Sequence, residues 1–139
     1  EYIADSRQKV DIYKRISALG SQREIQEFVV ELEDRYGPVT PSVDKLLRVA
    51  AIRIMAREVG VESIAQEARY VVFRFHPEAQ VPPSALRACV EQFRGKLTVL
   101  HGQPPRIRIR PGLEQDELLD IITTVLKNIQ ASLAEASGQ

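Results

Sequence analysis

The sequence has little cysteine, no excess of charge of one sign and no long apolar run, and each absence excludes a class of protein. One cysteine among 139 residues excludes an internal disulfide and a cysteine-based zinc site. Basic and acidic residues number 19 each, so no overall field attracts the chain to nucleic acid or to a membrane. No apolar run reaches the length of a membrane span, and no signal peptide is recognisable. We therefore expect a cytoplasmic protein.

The glycines and histidines form no known catalytic or nucleotide-binding pattern. A phosphate-binding loop needs Gly-Lys followed by Ser or Thr, whereas Gly95-Lys96 is followed by Leu97. None of the seven glycines has the spacing of a dinucleotide-binding fingerprint. His76 and His101 lie at predicted strand ends, and no metal-ligand spacing surrounds them. We predict that this chain has no catalytic site, no metal site and no cofactor.

The cysteine and the carboxylates do not change that prediction. Cys89 needs an activating base to act as a nucleophile. It lies instead on the apolar side of a predicted helix, which favours a buried small hydrophobic residue. The most closely spaced carboxylates face solvent, whereas acid–base catalysis needs at least one partly desolvated carboxyl group.

Hydrophobic periodicity predicts helices first and strands later. Helical spacing predicts three helices, from residue 5 or 6 to about 19, over 21–36 and over 41–59. After Gly60 the period changes to two, and the remaining predicted elements are strands 61–66 and 70–75, helix 84–93, strands 97–101 and 106–110, and helix 115–134.

This order, ααα-ββ-α-ββ-α, predicts an α+β fold with a small antiparallel sheet of two hairpins, an intervening short helix and a long C-terminal helix. We interpret residues 1–139 as a single domain cut from a larger protein, because the chain starts without methionine. Residues 135–139 are expected to form a frayed tail. The predicted apolar faces include Ile12, Tyr13, Ile16 and Leu19 in the first helix, Val49, Ile52 and Met55 in the third, Val71, Phe73 and Phe75 in the second strand, Leu86, Cys89, Val90 and Phe93 in the short helix, and Leu118, Leu119, Ile122, Val125, Leu126, Ile129 and Leu133 in the last helix.

The second helix has clear start and stop signals and two chemically opposite faces. Ser21 and Glu24 have the spacing of a capping box, and Gly37-Pro38 ends the helix. Its apolar face comprises Ile25, Phe28, Val29, Leu32 and Tyr36. Away from that face lies an acidic stripe of Glu24, Glu27, Glu31 and Asp34. The stripe is either a solvated surface or a docking surface for a basic partner.

One strand has a concentration of arginines. Arg106, Arg108 and Arg110 alternate with isoleucines and should project from one face, with Arg74 as a candidate neighbour. Such a ladder could contact phosphates. It lacks the interleaved aromatic residues that bind single-stranded nucleic acid by stacking, so a solvated face or a charged, non-pairing edge is favoured.

Three segments of the sequence carry a resemblance to a known family. They are YIADSRQKVDIYKRI (2–16), ELEDRYGPVTP (31–41) and LLRVAAIRIMAREVGVESI (46–64). Together they resemble the C-terminal domain of the bacterial transcription-repair coupling factors, the Mfd family. The similarity is dense in the first half of the chain and less distinctive in the strands and the last helix.

The resemblance implies a parent protein that is an ATP-driven DNA translocase, with ATP and magnesium bound in its motor. Members of that family displace stalled RNA polymerase and recruit excision repair through UvrA. Their C-terminal domain packs on the N-terminal UvrB-like module, masks the UvrA-binding surface and restrains the motor.

The resemblance also implies roles for two residues of the acidic stripe. In the family, acidic side chains at the positions of Glu31 and Asp34 meet arginines of the UvrB-like module, while Glu27 and Glu24 extend the stripe by helical geometry alone. The alternative hypothesis is a nucleic-acid-binding accessory domain that uses Arg106, Arg108 and Arg110.

Overall fold

The computed structural model describes residues 6–137, and within them the predicted order of elements is confirmed. Five helices and four strands have these bounds: α1 Ser6–Ser17, α2 Gln22–Tyr36, α3 Pro41–Glu58, β1 Val61–Glu67, β2 Tyr70–Phe75, α4 Pro83–Gln92, β3 Leu97–Leu100, β4 Arg106–Ile109 and α5 Gln115–Ser137. The fold is α+β, with all strands in one antiparallel sheet. None of these helices is long and apolar enough to cross a membrane.

The chain divides into two compact units, Glu1–Ile54 and Met55–Gln139. The first contains α1, α2 and most of α3, and the second contains the last turn of α3, the sheet, α4 and α5. The interpretation of residues 1–139 as one domain stays a prediction.

The first unit has a core built from three amphipathic helices. The nine buried members are Ile12, Ile16, Ile25, Phe28, Leu32, Val43, Leu47, Ala50 and Ile54. Arg53 of α3 reaches the end of α1, where its guanidinium donates to the carbonyl oxygens of Ser17 at 3.0 Å and Leu19 at 2.9 Å. These bonds satisfy acceptors that a helix C-terminus leaves without partners. The Arg53 side chain of α3 therefore caps the C-terminal end of α1.

Two apolar positions predicted for this core are exposed. Tyr13 is 56% exposed because the buried side of α1 is centred on Ile12 and Ile16, and the next residue turns about 100° away. Val49 on α3 is 49% exposed, although Ile52 and Met55, predicted on the same wide face, are buried. Residue 5, one of the two predicted starting positions of α1, lies outside the described residues.

The second unit is organised around the sheet, whose strand order is β1-β2-β4-β3. Each hairpin pairs antiparallel, and β2 pairs with β4, with Phe73 opposite Ile107 and Val71 opposite Ile109. Phe73, Ile107 and Ile109 are fully buried on one face of the sheet. Val125, Leu126 and Ile129 of α5 are also fully buried in this unit.

The middle of strand β2 is buried on both faces, which its simple alternation does not predict. Val72 is buried, whereas Val71, predicted to face the core, is only half-buried. In the register, Val72 lies between Ala65 of β1 and Arg108 of β4. On that face Tyr70 is half-buried and Arg74 is exposed, so burial of the second face is confined to Val72.

The two later helices differ from their predictions in detail. In α4 the buried residues are Ala85 and Cys89, while Leu86, Val90 and Phe93 are only half-buried. Ile121 of α5 is buried although the predicted face omitted it. Helix α5 continues through Ser137, three residues beyond its predicted end. Fraying of the chain end stays a prediction, and residues 138 and 139 lie outside the described part.

Candidate functional site: the acidic face of α2

Helix α2 is fixed at both ends by specific hydrogen bonds. The Ser21 hydroxyl accepts from the Glu24 N–H at 3.1 Å, and the Glu24 carboxylate accepts from the Gly20 N–H at 2.7 Å. These two bonds confirm the capping box. The Glu24 carboxylate accepts from the N–H of Gly20, one residue before the cap residue Ser21. At the other end Gly37 has φ 85°, and its N–H donates to the Glu33 carbonyl at 2.9 Å.

Burial of one side of α2 fixes the direction of the acidic side chains. Ile25, Phe28 and Leu32 are buried, as predicted, whereas Val29 and Tyr36 are half-buried. Glu24, Glu27 and Asp34 are exposed, and Glu31 is partly buried. The acidic stripe therefore exists as a surface, but its four members have different surroundings.

Glu31 is held in place by an arginine from another helix. Its two carboxylate oxygens accept from the two terminal nitrogens of Arg15 in α1 at 2.7 and 2.8 Å. The Arg15 guanidinium also lies over the Phe28 ring, 4.6 Å from its centroid. A second cation, Arg35, lies 3.9 Å from Glu31. Bidentate pairing and stacking together fix the geometry of this carboxylate.

The pairing also fixes the charge of Glu31. The hydrogen bond from Arg15 lowers the pKa of Glu31, and the charges of Arg15 and Arg35 lower it further. The same hydrogen bond raises the pKa of Arg15. Glu31 is therefore an ionised acceptor at neutral pH. A carboxylate has about four acceptor sites, so two bonds from Arg15 leave room for further donors.

The other members of the stripe are held less firmly. Glu27 is 3.2 Å from Arg23, and both side chains are largely exposed. Asp34 is exposed, and among the described residues it has no hydrogen bond or ion pair. Asp34 is thus the member of the stripe that is open to an external cation.

Sequence reasoning missed two residues of this face. No local pattern indicates the pairing of Arg15 with Glu31, which are 16 residues apart. Val30, between the acidic positions, is 59% exposed. The prediction treated the outer side of α2 as purely charged, although a valine next to Glu31 was visible in the sequence.

The arginines of β4 form a second charged face. Arg74 lies opposite Arg106 in the register, so these two and Arg108 share one face of the sheet. The N–H of Arg110 donates to the Lys96 carbonyl at 2.9 Å. Arg110 follows the last residue of β4, and its guanidinium approaches the Pro111 carbonyl at 3.4 Å.

Much of the charge on the sheet face is balanced locally. Arg74 donates to both oxygens of Glu67 at 2.6 and 2.7 Å, which lowers the pKa of Glu67. The charge of Arg106 lowers the same pKa. The Arg108 guanidinium lies 4.2 Å from the centroid of the Tyr70 ring. The ladder therefore does have an aromatic neighbour, which corrects the expectation drawn from its own strand.

Within residues 6–137, the histidines and the cysteine form no catalytic arrangement. His76 and His101 are exposed, and the described residues contain no cluster of three metal-ligating side chains. Cys89 is fully buried, and burial raises the pKa of its thiol, opposed by a hydrogen bond from the Asn128 amide. Its predicted role as a buried small residue is confirmed.

A groove with a volume of about 990 Å³ lies in the second unit. The α4 side contributes Leu86 and Val90, and the β3 side contributes Val99. Arg87 and Glu91 also line it, so the groove has no dominant charge. Its shape and lining do not identify a ligand.

Comparison with known proteins gives the class of domain. The TRCF domain family model matches residues 1–86. The transcription-repair-coupling factor of Bacillus subtilis is 30% identical over 133 residues, covering 93% of this chain and 11% of that protein. That of Haemophilus influenzae is 24% identical over 132 residues, covering 94% and 11%. The chain thus spans about a tenth of the length of the relatives that it matches along most of its length.

The fold agrees with that similarity. A crystal structure of the C-terminal domain of a transcription-repair coupling factor superposes with a TM-score of 0.72, covering 94% of this chain and 86% of that one, at 19% identity. At that identity the likeness shows the fold. Because the family model covers more than half of the residues, the chain belongs to the TRCF domain family of transcription-repair coupling factors.

Proposed function

We propose that this chain is the regulatory domain of a transcription-coupled DNA repair translocase. In this role the acidic face of α2 docks on the N-terminal UvrB-like module of the same parent chain, masks the UvrA-binding surface and restrains the motor. The parent uses ATP and magnesium in its motor, moves on DNA and engages stalled RNA polymerase. This domain itself contributes no catalytic group or cofactor.

The observation that carries the proposal is the arrangement of the carboxylates on α2, of which one is held in a fixed geometry and another is exposed. Arg15 fixes Glu31 in a bidentate geometry, while Asp34 is exposed without a partner among the described residues. Caps at both ends and a buried opposite side hold α2 itself rigid. A rigid array of ionised acceptors suits arginines of a partner, since arginine binds carboxylates through paired hydrogen bonds.

The exposure of this face suits a contact that must open. An exposed ion pair contributes only about 0.2–1 kcal/mol, so a few such pairs with limited apolar packing give a releasable association. Complementary charge fixes the register of docking more than its affinity. Engagement of polymerase elsewhere in the parent protein would then have only a modest free energy to overcome.

The test is charge reversal in the full-length parent protein. Glu31→Lys with Asp34→Lys should increase UvrA binding and basal ATPase activity, because like charges would then face the partner's arginines. Glu33→Lys is the matched control, since Glu33 is exposed on α2 but points about 100° away from Asp34. UvrA binding and ATPase activity at wild-type levels in the double variant would contradict the proposal.

A nucleic-acid-binding role is the second candidate, supported by the placement of Arg106, Arg108 and Arg74 on one sheet face beside Tyr70. The bidentate Arg74–Glu67 pair weakens that candidate, because a carboxylate in the ladder repels phosphates. We therefore rank it below docking by α2.

A further inference from the structure

The exposed side of α2 carries an outer stripe of four side chains: Arg23, Glu27, Val30 and Asp34. This outer stripe shares Glu27 and Asp34 with the acidic stripe. The outer-stripe spacing of four, three and four residues places its members within about 60° of one another on the helix, since each residue turns it by about 100°. All four are exposed. The outer stripe lies roughly opposite the buried side of α2, so it is the part of the helix that a flat partner would meet first.

Val30 is the anomalous member of the outer stripe. It is 59% exposed, more than the other exposed large apolar side chains of the described residues, Val10, Tyr13 and Val49. A β-branched side chain loses rotamer freedom in a helix, and at this exposure little burial within the domain compensates for that loss. The isolated domain therefore gains little from valine at this position.

The neighbours of Val30 indicate what would cover it. Glu27 lies one turn before it and Asp34 one turn after it, so the apolar group is flanked by carboxylates along the helix. Glu27 is already near Arg23, at 3.2 Å, whereas Asp34 has no such neighbour among the described residues. The outer stripe thus has one apolar contact and one unpaired anion, separated by a single helical turn.

We propose that Val30 is the apolar centre of the α2 docking face and that its occupant is an arginine-bearing surface. The methylene stem of an arginine covers apolar surface while its guanidinium remains free to bond. An arginine whose stem lies on Val30 reaches Asp34 with its head group. Covering Val30 also excludes water from the ion pair, which strengthens it.

This inference rests on the proposed docking function, but it assigns a role that the charges alone do not. It predicts that a variant with an unchanged set of charges will release the domain. Val30→Thr keeps the β-branched shape and replaces a methyl group with a hydroxyl, and Val30→Ala removes two methyl groups. Val49→Ala on α3 is the matched control, because Val49 is also exposed, at 49%.

The experiment uses the full-length parent protein and measures UvrA binding and basal ATPase activity. Val30→Ala should shift the docking equilibrium toward the open state by about tenfold, the effect of losing two buried methyl groups. Val30→Thr should shift it in the same direction, and Val49→Ala should leave it unchanged. The thermal midpoint of the 139-residue chain should not fall in Val30→Ala, because alanine suits an exposed helical position.

Two results would overturn the inference. One is docking in both Val30 variants equal to that of Val49→Ala while the Glu31→Lys/Asp34→Lys variant opens, which would leave the proposed function intact. The other is a lowered thermal midpoint in Val30→Ala, which would show that Val30 stabilises the domain itself. If the charge-reversal variant also remained closed, the docking function would fail together with the inference.

Discussion

The described residues of each unit include a bidentate arginine–glutamate pair, and the two pairs have different surroundings. Arg15–Glu31 joins two helices and leaves Asp34 of the same face open. Arg74–Glu67 joins the two strands of one hairpin and places a carboxylate within an otherwise basic face. Each pair lowers the net charge of its own face, so the charge that the acidic stripe of α2 still offers a cation is concentrated on Asp34, while Glu31 offers its remaining acceptor sites in a fixed geometry.

The largest effect that tests this comparison comes from the aromatic residues beneath the two faces. Phe28→Ala and Phe73→Ala should each lower the free energy of unfolding by roughly 3–5 kcal/mol, because both side chains are buried. Urea denaturation measures the loss. Hydrogen exchange should show faster opening of the helices for Phe28→Ala and of the sheet for Phe73→Ala.

A milder change at Phe28 separates packing from stacking. Phe28→Leu keeps an apolar side chain but removes the ring beneath Arg15, which is worth about 0.5–1 kcal/mol for an exposed cation. If Phe28→Leu were as damaging as Phe28→Ala, the ring itself and not buried volume would dominate at this position.

The next largest effect concerns the hydrogen bonds at the C-terminal ends of helices in the two units. Arg53→Met should lower the free energy of unfolding by about 1–3 kcal/mol, because carbonyls of Ser17 and Leu19 lose their donors. Helix α4 of the second unit ends instead with a backbone bond from Phe93 to Cys89, so its exchange rates should not change.

Urea denaturation and amide exchange in α1 check this prediction, with Arg57→Met as a control. Arg57 is an exposed arginine in the last turn of the same helix. Equal losses in the two variants would mean that bonds to α1 are not the cause.

Acid should weaken both bidentate pairs. The folded-state pKa values of Glu31 and Glu67 are lowered, chiefly by hydrogen bonds from Arg15 and Arg74. Each pair therefore contributes stability that is fully present well above the unfolded pKa of about 4.3. That contribution disappears as the pH falls through the lowered folded pKa.

Glu31→Gln and Glu67→Gln should thus be less stable than the wild type at pH 7 and equal to it in strong acid. Urea midpoints measured from pH 7 to pH 2 check this, with Glu33→Gln as the background. A constant difference between each variant and the wild type over the whole range would contradict the pairing. High salt should reduce the difference at pH 7, since both pairs are partly exposed.

The smallest expected effect is on DNA binding. Arg106→Gln with Arg108→Gln should leave the affinity of the 139-residue chain for duplex DNA unchanged, because the wild-type affinity is expected to be weak. Titrations across a salt series provide the measurement. Strong wild-type binding with a steep salt dependence, lost in the variant, would favour the nucleic-acid alternative.

The type and order of the helices and strands follow from the amino-acid sequence. Their signals are local: Ser21 and Gly37 bound α2, and the change of period after Gly60 marks the start of the strands. Hydrogen bonds between residues close in sequence and a regular hydrophobic period suffice for such assignments. For the same reason the acidic stripe and the arginines of β4 were visible as patterns.

Which charged side chains remain available to a partner depends on how the elements pack. Arg15 meets Glu31 because α1 and α2 pack through Ile12, Ile16 and Phe28, and no local rule relates residues 16 positions apart. Likewise, strand pairing places Tyr70 and Glu67 beside the arginines of β4. The sequence of β4 does not indicate either neighbour. The partner of a charged side chain depends on how separate elements pack, so that neither the restraint on Glu31 nor the openness of Asp34 follows from the sequence pattern.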